Sequence, residues 1–93
     1  MAKPIAIYYP AKLLECPEKW WHYKELIYNT PLVIMESEDK YPGEIFFNFA
    51  SLSSSVIVKF ETIQETLDSD IYVDIITKHS HYKFIVGGDY AWY

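Results

Sequence analysis

Seventeen of the 93 residues are aromatic (three Trp, nine Tyr and five Phe), and the eight basic residues are all lysine. Each aromatic ring can bury roughly 150–250 Å². A chain this short normally buries only about two-thirds of its unfolded surface, so the rings let it build a core beyond what its length promises. With 51% hydrophobic residues and only three glycines, residues 1–93 are expected to form a single globular domain without long flexible linkers.

Charge limits the partners. Thirteen acids face eight lysines, a formal net charge of −5. The imbalance is uneven: residues 1–30 balance at +1, whereas residues 31–93 hold four lysines against ten acids. That second part repels phosphate backbones, and no guanidinium is present to grip phosphate in bidentate fashion. Stacking of aromatic rings on single-stranded nucleic acid needs a positive groove that the chain lacks. Direct nucleic-acid binding is therefore not expected. A basic protein surface would be attracted, mainly through a faster on-rate.

The single cysteine, Cys16, rules out an internal disulfide and supplies no metal framework. The segment Met1–Ile5 lacks a signal peptide's long apolar stretch and cleavage site. No apolar run approaches the roughly 18 residues of a membrane span. A soluble cytoplasmic protein is expected, with no membrane association. The lysine-only basic set with abundant Ile, Tyr and Phe matches AT-rich coding, a bias of many phage and mobile-element genes, and would make that cytoplasm a host's.

Ile5, Ile7 and Tyr9 alternate with Ala6 and Tyr8 as a first strand, which Pro10 is expected to end. Cys16 at an N-cap, Pro17 at the first helical position and Glu18 in the first turn predict a helix over 17–28, stopped by Asn29 and Pro31. Its stripe of Trp20, Tyr23 and Ile27 would face the core, leaving Trp21 and Tyr28 to the sides. Leu32–Met35 is an unbroken apolar run, residues 38–43 a polar turn, and Ile45, Phe47 and Phe49 an alternating strand. Residues 55–61 fit a strand, or else one helix over 55–68. The β-branched content and a capping box at Thr62–Glu65 favour a strand followed by a short helix. Ile71–Thr77 and residues 82–86 alternate as strands around a hairpin turn at 78–81, Gly87-Gly88 would end the last strand, and 89–93 would be a tail.

The expected fold is α+β: a small antiparallel sheet with one main helix (17–28) packed on one face, in the order β-α-β-β-β-α-β-β. The alternative is a ferredoxin-like βαββαβ fold. Trp20, Ile27, Phe47, Phe49, Val73 and Phe84 are the expected core.

Candidate chemistry is sparse. At a helix N-terminus Cys16 would be a more acidic thiol, yet nothing in the sequence completes a catalytic set around it, and an inert cysteine is the stronger reading. His79 and His81, two apart, would point to one face of a strand and could hold part of a metal site with Asp70, Asp74 or the tail; solvated histidines at a hairpin tip are the stronger reading. No phosphate loop, nucleophile elbow or zinc-finger spacing occurs. No catalytic residue, metal or cofactor is assigned. Five carboxylates, Glu61, Glu65, Asp68, Asp70 and Asp74, lie within fourteen residues. They form a solvated surface by default and an acidic docking patch in the functional reading. Trp21 and Tyr28 on the helix and Trp92 in the tail are candidate interface anchors. The expected function is a non-enzymatic binding module, an inhibitor, immunity or anti-defence factor, docking on a basic, nucleic-acid-handling protein partner. The alternative is a small self-associating subunit, a homodimer held by aromatics. A minor enzyme or metal protein using His79, His81 or Cys16 is a third.

Overall fold

A computed structural model describes residues 2–25, 30–38 and 43–92. Seven antiparallel strands form one sheet: β1 (Ala2–Glu15), β2 (Thr30–Ser37), β3 (Ile45–Phe49), β4 (Leu52–Ser53), β5 (Ile57–Ile63), β6 (Ile71–Thr77) and β7 (His81–Trp92). Their order across the sheet is β4-β3-β2-β1-β7-β6-β5. A 3-10 helix, Glu18–Glu25, joins β1 to β2.

The sheet is curled. Consecutive strands pair except β4 with β5, and the last strand returns to the first. Following the alternation of direction around the sheet, β4 and β5 run the same way. They act as one bent strand that pairs first with β3 and then with β6. Only residues 54–56 separate them, and four peptide steps reach at most about 14 Å, so the two edges of the sheet meet there. The topology is that of a six-walled up-and-down barrel in which, among the described residues, β3 and β5 approach without pairing. Rings cross the interior accordingly. Phe47 on β3 lies edge-on to Tyr82 and Phe84 on β7, at 4.9 and 5.4 Å between centroids. Tyr8 on β1 reaches Thr62 on β5, with 3.1 Å between hydroxyl oxygens.

One inner face supplies the core: Ala6, Tyr8, Ala11, Leu13, Leu32, Ile34, Phe47, Phe49, Leu52, Ile57, Val73, Ile75, Tyr82, Phe84 and Val86. On β1 the inward residues switch from even (Ala6, Tyr8) to odd (Ala11, Leu13) across Tyr9 and Pro10. A bulge causes the switch. From Tyr8 to Ala11 the chain advances three residues while β2 moves only from Leu32 to Thr30. On the other side β7 gains a residue, passing from Asp89 to Val86 while β1 goes from Tyr9 to Ala11. Two adjacent bulges bend both strands and increase their twist, which curls the sheet. The β2–β3 hairpin closes through Ser37 N to Glu44 O at 2.9 Å, with Gly43 at φ +89°. That left-handed backbone is open to glycine at no steric cost.

The α+β expectation, and with it the ferredoxin-like alternative, is overturned. No α-helix occurs among the described residues. The 17–28 segment starts where expected, with Trp20 N bonded to Pro17 O at 2.9 Å, but that bond is of the i to i+3 kind. Its Trp-Trp-His-Tyr stretch has only middling helix propensity. None of its residues is fully buried, and it closes one end of the barrel instead of covering a sheet face. In a 3-10 helix residues three apart eclipse, so Trp20 lies tilted against Tyr23 at 6.0 Å between centroids and both pack on the core. Ile27 and Tyr28 lie outside the described residues. The short helix expected from Thr62 is also absent: β5 runs on to Ile63 and residues 64–70 form a turn. Neither Pro10 nor Gly87-Gly88 ends a strand. Trp20, only partly buried, aside, the core residues expected on strands, Phe47, Phe49, Val73 and Phe84, are fully buried.

Candidate functional site

Strand directions place the sites at two ends. β1 ends, β2 begins, and the β3–β4 and β6–β7 turns lie at the helix end. The 64–70 turn lies at the other, one length of β6 away, roughly 20 Å for seven residues.

At the helix end Trp21 is 54% exposed. It is not an idle ring, because its Nε1 donates to Cys16 O at 3.3 Å and Lys24 Nζ stands 5.3 Å over its face. Lys12 Nζ donates to Lys24 O at 2.7 Å, and the Tyr23 hydroxyl meets Ser51 Oγ at 2.6 Å, fastening the helix to β1 and the β3–β4 turn. Burial pushes the Cys16 thiol up from its ordinary value, and Lys24 offsets this only in part. The acidic thiol expected at a helix start is thus reversed. Desolvation, which disfavours the thiolate, outweighs the neighbouring lysine.

The outer face of β5, β6 and β7 carries three cross-strand rows: Lys59–Ile76–His81, Glu61–Asp74–Lys83 and Ile63–Tyr72–Ile85. His81 Nε2 donates to Asp74 Oδ1 at 2.5 Å. His79 is exposed in the turn, and among the described residues no group of three His, Cys, Asp or Glu side chains could hold a metal ion. Asp74 is therefore engaged with His81, in the row it shares with Glu61.

At the far end a cleft of about 530 Å³ opens between the 64–70 turn and the sheet. Ile63, Glu65, Asp68, Ser69, Asp70, Tyr72 and Lys83 line it. The turn is held by its own hydrogen bonds. Gln64 Nε2 donates to Leu67 O at 3.3 Å and Ser69 O at 3.1 Å, and Ser69 Oγ bridges Thr66 N and O at 2.9 and 2.8 Å. That arrangement leaves Leu67 95% exposed at the tip. Lys83 Nζ lies 5.1 Å over the Tyr72 ring. Three carboxylates and one ammonium thus line the cleft together with Ile63 and Tyr72.

Of the residues singled out in the sequence, the structure brings Glu65, Asp68 and Asp70 into one cleft and sets Glu61 and Asp74 side by side on the adjoining row. Trp21 sits at the opposite end. Tyr28 and the Trp92 side chain lie outside the described residues. Tyr72, Lys83 and Ile63 were missed, although the alternation that turned Ile71, Val73 and Ile75 inward already assigned Tyr72 to the outer face, as that of Tyr82, Phe84 and Val86 did Lys83.

Comparison of the chain with protein-family models, curated proteins and solved structures finds no match.

Proposed function

We propose that the chain is a non-enzymatic protein-binding module that takes a basic segment of a partner protein into the cleft beside the 64–70 turn. One observation carries the reading: Glu65, Asp68 and Asp70 rim a concavity whose floor is the aliphatic and aromatic surface of Ile63 and Tyr72. A lysine or arginine has matching parts. Its methylene stem packs on the floor, its charged head reaches the carboxylates, and a Tyr face attracts a cation. The rim acids steer the approach, and the exposed Leu67 adds an apolar contact that sets the dissociation rate. A phosphate backbone would be repelled by the same rim. The chain would suit an inhibitor or immunity factor that covers the basic surface of a nucleic-acid-handling protein.

Affinity capture from cells tests this with two baits, the natural chain and the E65K/D68K/D70K variant. Basic proteins retained by the natural chain and lost from the variant are expected. An identical captured set with both baits would overturn the cleft as the docking site.

A further inference from the structure

The geometry points to a second copy of this chain as an occupant of the cleft, entering it with its Lys78–His79 turn. The inference rests on the cleft reading and names the partner. Lys78 and His79 are the exposed tip of the β6–β7 hairpin. Backbone and side-chain bonds brace that tip. Thr77 N donates to Ser80 O at 2.9 Å, Ser80 N donates to Thr77 Oγ1 at 3.1 Å, and Lys78 N donates to Val56 O at 3.0 Å. Little backbone freedom is left to lose on docking. The cleft is prepared in the same way, because Gln64 and Ser69 fix the 64–70 turn.

Charge selects the occupant. Lys59 and His81 share the row nearest the tip, whereas Glu65, Asp68 and Asp70 rim the cleft at the other end of β6. Among the described residues neither Lys78 nor any of these three acids forms an ion pair. The helix lysines are occupied otherwise: Lys19 and Lys24 lie over Trp20 and Trp21, with Glu18 and Glu25 next to them in the chain. Within one molecule the tip does not reach the cleft, since the seven residues of β6, roughly 20 Å, lie between them. Tip and cleft meet only between copies, head to tail, each copy offering one of each. Lys78 of the partner subunit then lays its stem on Ile63 and Tyr72 and sets its ammonium among the carboxylates.

Light scattering or sedimentation at low salt tests this against the 11.0 kDa monomer. The mass of the natural chain is expected to rise with concentration and to fall back as salt is added. K78E and E65K/D68K/D70K should each self-associate at least about tenfold more weakly. An equimolar mixture of the two should be heavier than either alone, because the first keeps its cleft and the second its tip. Unchanged circular dichroism confirms that the variants fold. A natural chain that stays monomeric at its highest soluble concentration, or variants that associate as well as it does, would overturn the proposal. So would a mixture no heavier than its components. A short lysine-rich peptide separates this failure from failure of the cleft reading. K78E should bind the peptide as tightly as the natural chain's cleft does. Peptide bound in the cleft of a chain that never self-associates would rule out the second copy and leave the cleft standing; a natural chain that binds no peptide would remove both.

Discussion

Pro10 and Gly87 fit against each other across β1 and β7: a Cβ added to Gly87 would overlap Pro10 Cδ and stand 3.0 Å from Pro10 Cγ. The glycine makes room for a ring at the point where both strands bulge. Gly87→Ala should therefore force the two strands apart and cost about 1–3 kcal/mol, the range for overpacking a tight contact. Urea unfolding measures it, and a loss near zero would show that the bend accommodates a methyl group.

Ala50, in the turn between β3 and β4, has φ +54°. For an L-residue that conformation costs roughly 1–2 kcal/mol, part of which glycine gives back in unfolded-state entropy. Ala50→Gly is expected to stabilise the chain by about 0.5–1 kcal/mol, seen as a higher urea midpoint with unchanged slope.

Cys16 holds its proton more tightly in the folded chain than in the unfolded one. Its contribution to stability is fully present below the pH at which an unfolded thiol ionises. It is lost as pH rises from there toward the raised folded value, because only the unfolded state then releases the proton. Stability measured across the alkaline range should fall less steeply in Cys16→Ser. Alkylation of Cys16 at neutral pH should also be slower than that of a free thiol.

Lys83 stands over Tyr72 and is the one cation among the cleft's lining residues. An incoming lysine would compete with it for the ring and the carboxylates. Lys83→Met is expected to tighten binding of a lysine-rich peptide about 2- to 5-fold. Isothermal titration reads the change, and weaker binding would mean that Lys83 holds the cleft open.

The strands were legible where side chains alternate strictly. Ile71–Thr77 stands as expected, and the 44–50 and 55–61 strands match to within two residues at either end, because period-two patterning reflects one buried face directly. The errors have physical causes. Pro10 and Gly87 each looked like a stop, and both were misread for one reason: they are the two halves of a single long-range contact, which local sequence does not display. The 17–28 helix was read from start signals that do operate at Pro17 and Glu18, but the following aromatics are held by an end of the barrel. Without the curl, nothing in the sequence separated Trp21 from the acids by the length of a strand. The carboxylate run itself was visible; its apolar floor required knowing that Ile63 and Tyr72 lie in one row.

The cleft reading is tested most directly by amide chemical-shift titration of the natural chain and of E65K/D68K/D70K with a short lysine-rich peptide at low salt. For the natural chain, saturable shifts confined to Ile63, Glu65, Asp68, Ser69, Asp70, Tyr72 and Lys83 are expected. In the variant, whose fold should be intact because all three side chains are exposed, affinity should fall at least about tenfold. Shifts scattered over the surface, or equal binding by both chains, would contradict the assignment of this cleft as the docking site.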